Sequence, residues 1–247
     1  MEGMLKLYSP INELKQIGED IWIVDGNKIH MSFKLFKVPF TTRMTIVKID
    51  NNKLWIHSPI AFNKELNDKI KELGDIEHII APNKYHYSYV LDWYKHYPDA
   101  KVWLAKGAST KLKIDERENF VSLDNISKTS WSEEIYFTPF KGSIAMEEMV
   151  FFHKKSSTLI LTDLIESIEV NKLPLLYKLV FKFGDNKYPK FRTSRDLRSS
   201  FIFKKQAKDS YSKIESWKPD KIVFSHGKII LENGTEKLKE AFYWLRK

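Results

Sequence analysis

Ile79–Trp103, IIAPNKYHYSYVLDWYKHYPDAKVW, is the stretch on which the reading of this chain turns. Its first residues close an apolar strand that begins at Ile76, and the chain then enters a polar, aromatic corner that holds one histidine, His86. Val90, Leu91, Tyr94 and Tyr97 mark the apolar face of a helix, Tyr97-Pro98-Asp99 breaks it, and Lys101–Leu104 is a second strand. Two strands joined through a helix pair in parallel, with the helix covering one face of the sheet.

The pattern extends in both directions. Upstream, Asn63 is placed as an N-cap, Leu66, Ile70 and Leu73 follow at helical spacing, and Gly74 ends the helix that Lys53–His57 leads into. Before that, Asp20–Val24, Ile29–Phe33 and Arg43–Ile49 alternate like antiparallel strands, with Asp25-Gly26-Asn27 read as the turn between the first two. Downstream, residues 111–125 read as charged loop with a short strand. Glu134–Pro139, Met149–His153 and Thr158–Leu161 are short apolar runs, the last two forming a hairpin around Lys154–Ser157. Lys221–Phe224 is a final strand, and Leu238, Ala241, Phe242 and Leu245 line a closing helix with Thr235 as its N-cap. A second sheet packed on the first, within one domain over residues 1–247, is the expectation.

Composition narrows the chemistry. A hydrophobic content of 43% with 14% aromatic residues suits a globular protein. There is no cysteine, so disulfides and thiolate metal sites are excluded and any metal must take His, Asp or Glu. No signal-peptide pattern or long apolar run stands in the sequence, and a cytoplasmic location is the expectation. The net charge of +9 is unevenly placed, because residues 171–215 hold twelve Lys and Arg against four Asp and Glu. That insertion is read as two helices projecting from the sandwich. Its lysines interleave with Leu175, Leu176, Leu179, Phe181 and Phe183, which suits either a solvated face or peripheral contact with an anionic membrane. No nucleic-acid motif accompanies the charge, so nucleic acid is not an expected partner.

Three polar residues stand where strands have just ended: His86, Asp163 after TLIL, and His226 after KIVF. Loops leaving the same end of a sheet converge in space, and two imidazoles with a carboxylate are donors enough for one divalent ion.

The succession of elements resembles the metallo-β-lactamase fold, an αββα four-layer sandwich. That family's H-x-H-x-D-H motif falls on Ala81-Pro82-Asn83-Lys84-Tyr85-His86, which retains only the last histidine; the later Asp and the terminal Ser-His resemble Thr162-Asp163 and Ser225-His226-Gly227. No histidine occurs in residues 140–147, where the family's intermediate ligand falls. The resemblance thus implies that one of two family metal positions is lost whole, while the other keeps His86, Asp163 and His226 and has Tyr85 in place of Asp. The wording of the chain, with A-P-N-x-x-H at the corner, resembles a branch of that superfamily classed as a domain of unknown function. The implied activity is a mononuclear Zn²⁺- or Fe²⁺-dependent hydrolase of an ester or phosphoester; the alternative is a non-catalytic member that binds a small ligand, an anionic membrane or a protein. Further site candidates are Glu147 or Glu148 as a replacement carboxylate, His57 as a proton-exchanging or orienting group, Asn83 and Tyr85 as hydrogen-bonding groups, and Arg43 as a counter-charge for a substrate anion. His30, His78, His96 and His153 are read as structural.

Overall fold

The computed structural model describes residues 5–33, 36–112, 119–124, 126, 128–173, 178 and 184–246. Seven strands form a first sheet in chain order: β1 (Lys15–Gly18), β2 (Ile21–Phe33), β3 (Phe36–Ile49), β4 (Lys53–His57), β5 (Asp75–Ala81), β6 (Lys101–Leu104) and β7 (Phe120–Ser122). The junctions up to β3–β4 are antiparallel and those from β4–β5 onward are parallel. The parallel steps require crossovers, which are made by α1 (Lys64–Lys71), α2 (Val90–His96) and α3 (Ala108–Leu112). Asn63 caps α1 as expected, its side chain accepting from the Leu66 amide at 2.9 Å, and Leu66 and Ile70 are buried.

The second sheet has the order β11-β10-β9-β8, built from β8 (Ile135–Phe140), β9 (Glu148–His153), β10 (Thr158–Ile160) and β11 (Lys221–Val223). β8, β9 and β10 run antiparallel, and β11 joins β10 in parallel. Between β10 and β11 lie α4 (Arg195–Ser199) and α5 (Lys204–Ser216); α6 (Gly234–Ala241) follows β11.

The pleat sorts the apolar residues into three layers. On the outer face of the first sheet, Leu54, Ile56 and Ile79 pack against Leu66, Ile70, Val90 and Trp93 of the crossover helices. Between the sheets lie Val47, Trp55, Ile80 and Trp103 from one side and Ile135, Met149, Phe151 and Ile160 from the other, with Trp131 among them. On the outer face of the second sheet, Val150, Phe152, Leu159 and Ile222 pack against Ala207, Tyr211 and Ile214 of α5 and Leu238 and Ala241 of α6. The layers are therefore helix, sheet, sheet, helix, the αββα sandwich.

Three sequence expectations change, the smallest being the cap of α6: Asn233 holds that position and Thr235 lies inside the helix. Asp25-Gly26-Asn27 is not a turn: β2 runs on through it, and the register with β3 slips between Asp25 and Lys28 as a β-bulge. Gly26 is needed there because a Cβ would stand 2.5 Å from Thr42 Oγ1 and 2.9 Å from Ile60. Within the described part of the basic insertion, α5 does not project from the sandwich: its apolar side completes the outer core while its lysines face water. Leu175, Leu176, Leu179, Phe181 and Phe183 fall outside the described residues. Among the described residues no helix is long and apolar enough to cross a membrane.

Candidate metal centre

The parallel topology brings three chain segments to one edge. The corner after β5 carries His86, the segment after β10 carries Asp163, and the segment after β11 carries His226. One ligand atom from each lies within 4.8 Å of the others. His86 Nε2 is 3.1 Å and His226 Nε2 3.2 Å from the same oxygen, Asp163 Oδ1. Atoms bound to a tetrahedral zinc at roughly 2.0–2.1 Å stand about 3.3 Å apart, so this spacing fits one ion.

The hydrogen bonds behind the donors decide what they can do in front. His226 Nδ1 is 3.0 Å from the Thr41 carbonyl oxygen, which can only accept, so Nδ1 carries a proton. In the neutral ring Nε2 is then a bare lone pair, directed at a carboxylate oxygen that is also an acceptor. Two acceptors at 3.2 Å are stable only with positive charge between them, either a proton or a metal ion. His86 is held in place by Ser58, whose Oγ lies 2.7 Å from Nδ1; this hydroxyl can donate or accept and so serves either tautomer of the ring. A carbonyl or hydroxyl on the far nitrogen is the arrangement that presents an imidazole to a metal. The residues present fit a single divalent ion.

Asp163 is held ionised. Burial alone would raise its pKa, but the charges and hydrogen bonds of His86 and His226 outweigh it and hold the carboxyl far below the usual range. For His86, burial pulls downward, yet Asp163 and Glu148 carry the ring above its ordinary value.

Asn83 is the hub of the corner. Its Nδ2 shares two hydrogens among three acceptors, Asp163 Oδ2 at 2.8 Å, Thr162 Oγ1 at 2.9 Å and Glu148 Oε2 at 3.1 Å; its Oδ1 accepts from the Tyr85 and His86 amides at 2.8 and 3.0 Å. One amide thereby fixes both the carboxylate and the loop that presents His86. Tyr85 itself is exposed and forms part of the cavity rim.

The remaining candidates take other places. Glu148 is fully buried behind Asp163 and accepts from the Thr162 and Asp163 amides at 2.6 and 2.9 Å, so its oxygens are occupied and it is no replacement ligand. Burial, then the charge of Asp163, pushes its carboxyl up. Glu147 is half-buried near Lys106 and Lys141 and is not among the clustered donors. His57 lies between the sheets, stacked on Trp55 with its ring edge-on to Phe151. Burial lowers its pKa to about 3, which rules out proton exchange near neutral pH. Arg43 is not available to a substrate anion either. It is buried, paired with Asp25 at 2.7 Å, and its Nη1 donates to the carbonyls of Phe224 at 2.7 Å and Gly227 at 2.9 Å. It ties the segment carrying His226 to the first sheet. Gly227 admits no side chain, since with φ +113° its Cβ would stand 2.1 Å from the Ser167 carbonyl oxygen.

Two cavities open onto the donors. The first, about 360 Å³, is lined by His86 and His226 with Lys84, Lys111, Tyr85 and Tyr87. The second, about 300 Å³, is lined by Asp163 and His226 with Glu166, Asp196, Met146 and Leu197. His30, read as structural from the sequence, lies on the wall of the first. Glu166 was missed altogether; burial and then the charge of Asp163, against the opposing effect of His226, raise its carboxyl to about 7. The signal available was a carboxylate three residues after Asp163 in an otherwise apolar run.

A family model described as a domain of unknown function, DUF4336, matches residues 19–200. No curated protein matches the chain. Among solved structures, the DIM-1 metallo-β-lactamase is similar at 12% identity and a TM-score of 0.62, with 97% of this chain and 100% of that one covered. A metallo-β-lactamase from Pontibacter korlensis is similar at 9% identity and a TM-score of 0.59, covering 98% and 100%. FIM-1 from Pseudomonas aeruginosa, solved in a mono-zinc form, is similar at 10% identity and a TM-score of 0.59, covering 92% of each chain.

Proposed function

The chain belongs to the DUF4336 family and carries the metallo-β-lactamase fold, and from that premise we propose that it is a divergent hydrolase of ester or phosphoester substrates built around one divalent ion, zinc or iron(II). The observation that carries this reading is His226 Nε2 standing 3.2 Å from Asp163 Oδ1, with the Thr41 carbonyl occupying Nδ1 from behind. The ion would be held by His86, Asp163 and His226. When bound, it supplies Lewis acidity, drawing charge from an ester or phosphoryl oxygen.

The chain's own residues supply the rest. Three protein donors leave a coordination position open, as catalytic rather than structural sites do. Asn83 and Glu148 hold Asp163 and the corner in place, so the donors need no rearrangement when substrate arrives. Glu166, facing the second cavity, can hold a proton close to neutral pH on the side where a leaving group departs.

The test is metal analysis of protein purified without chelator, beside the variant His226→Ala. Near-stoichiometric zinc or iron in the parent, lost in the variant, is expected. Parent protein that takes up no stoichiometric metal under metal-replete conditions would refute the hydrolase reading.

A second reading, a non-catalytic member that docks on an anionic membrane, is favoured by one surface. Ile144, Ile202 and Phe203 are 65%, 57% and 53% exposed, although backbone bonds from Ile144 to Ser200 and from Phe203 to Gly142 hold them firmly. Lys204 and Lys205 follow directly and are exposed. Apolar side chains beside lysines suit an anionic interface. Flotation with phosphatidylserine vesicles, lost in Ile144→Ser/Phe203→Ser and absent with pure phosphatidylcholine, is the expected result; equal flotation of parent and variant would sink it.

A further inference from the structure

The two cavities that meet at His226 have opposite electrical character. The second is walled by three carboxylates, Asp163, Glu166 and Asp196, together with Met146 and Leu197. Among the described residues the first has no carboxylate on its wall and instead presents Lys84, Lys111 and His30, interleaved with Tyr85, Tyr87 and Tyr89. An anion entering the second meets like charge, whereas in the first it meets only ammonium groups, imidazoles, hydroxyls and aromatic rings.

Lys84 is also held in position. Gly107, with φ +81°, lies under it: a Cβ there would stand 3.3 Å from Lys84 Cβ and 3.8 Å from its Cδ, so the aliphatic stem rests on bare backbone. The ammonium stands 5.2 Å from the centre of the Tyr85 ring. Lys84 is two residues from His86, so the loop that Asn83 fixes for the donors fixes this cation as well. Among the described residues no carboxylate forms an ion pair with Lys84 or Lys111. A cation with no carboxylate partner among the described residues, beside an aromatic face as Lys84 is, presents its charge to a ligand in the concave site.

We propose that the first cavity is the substrate subsite for an oxyanion carried on an aromatic or similarly flat group. Lys84 and Lys111 neutralise the anion, and the three tyrosines take the ring. The bond to be cleaved then lies at the donors, and the leaving group exits by the Glu166 side. A phosphoryl or a carboxylate group offers the same chemistry to two ammonium groups, and the experiment separates them. This inference deepens the hydrolase reading and rests on it only for the position of the reacting bond.

The probes are phenyl phosphate, phenylacetate and neutral benzyl alcohol, titrated calorimetrically into parent protein and into Lys84→Gln/Lys111→Gln, with metal content measured on the same samples. Tenfold or tighter binding of at least one anion over the alcohol is expected, weakening tenfold or more in the double variant and with added salt. The variant keeps the parent's metal content and melting temperature, because neither lysine touches a donor. Tighter binding of phenyl phosphate assigns a phosphoryl group; tighter binding of phenylacetate assigns a carboxylate. Anion binding unchanged in the double variant, or no stronger than that of the alcohol, would overturn the subsite. Loss of metal reading alone appears separately, as absent metal in protein that still binds the anion through its lysines.

Discussion

Replacing Arg43 with methionine tests whether this side chain is a tie between sheets or a substrate contact. The guanidinium makes four bonds to three partners, Asp25 through Nε at 2.8 Å and through Nη2 at 2.7 Å and the Phe224 and Gly227 carbonyls through Nη1, and it also lies 5.4 Å from the centre of the Tyr8 ring. Methionine fills much of the volume and removes every bond. Asp25 keeps one cation, Lys15 at 2.7 Å, so the carboxylate is not wholly abandoned. Breaking a buried pair from one side costs about 3–5 kcal/mol, and two buried carbonyls left without donors cost ~1–3 kcal/mol each. These losses overlap and Lys15 offsets part of them, so a fall of about 3–5 kcal/mol in unfolding free energy is expected. The carbonyls released flank His226, and loosening a donor's support typically lowers metal affinity about 10–100-fold. Urea denaturation of chelator-treated protein gives the first quantity, and zinc titration against a competing chelator gives the second. Stability within about 1 kcal/mol of the parent, with unchanged zinc affinity, would refute the tie. A rise in KM for an anionic substrate on an otherwise intact protein would return Arg43 to the role first expected from the sequence.

Gly227→Ala places a methyl against the Ser167 carbonyl at a backbone angle that side chains disfavour. A loss of about 3 kcal/mol or more, or failure to accumulate as folded protein, is expected; a melting temperature equal to the parent's would show that the segment yields freely. His78, buried and accepting from Trp103 Nε1 at 3.2 Å, has its pKa lowered by burial to about 4. A depressed histidine is neutral in the fold, so its stabilisation is present above the unfolded value and drains away as pH falls toward 4. Between pH 7 and 5 this single group removes about 2 kcal/mol, and parent protein should lose that much more than His78→Gln over the same interval. Parallel pH profiles for the two would overturn the assignment.

The sequence disclosed the strand, corner and helix around His86 because a period-2 apolar run, a polar break and a period-3.6 face follow one another without overlap. It pointed to the cluster of His86, Asp163 and His226 because each stands just past the apolar run of a strand. Asp25-Gly26-Asn27 misled because the residues that make a hairpin turn also make a bulge, and only the Arg43 partner across the strand distinguishes them. Helix α5 misled because its charge is conspicuous and its buried Ala207, Tyr211 and Ile214 are few. Arg43 and Glu148 were read as site groups from their chemistry. Their bonds to Phe224, Gly227, Thr162 and Asp163 join residues far apart in the chain, and no local pattern encodes them.

The donors belong to different halves of the sandwich: His86 leaves the first sheet, while Asp163 and His226 leave the second, and Arg43 bridges the gap. The centre is thus a seam, complete only when the two sheets have docked and β11, near the end of the chain, has been laid beside β10. An ion captured across that seam would act as a clasp, stabilising the docked form by RT ln(1 + [ion]/Kd) and leaving either half alone unaffected. The resistance of the two sheets to being pulled apart would then report the supply of metal in the surroundings.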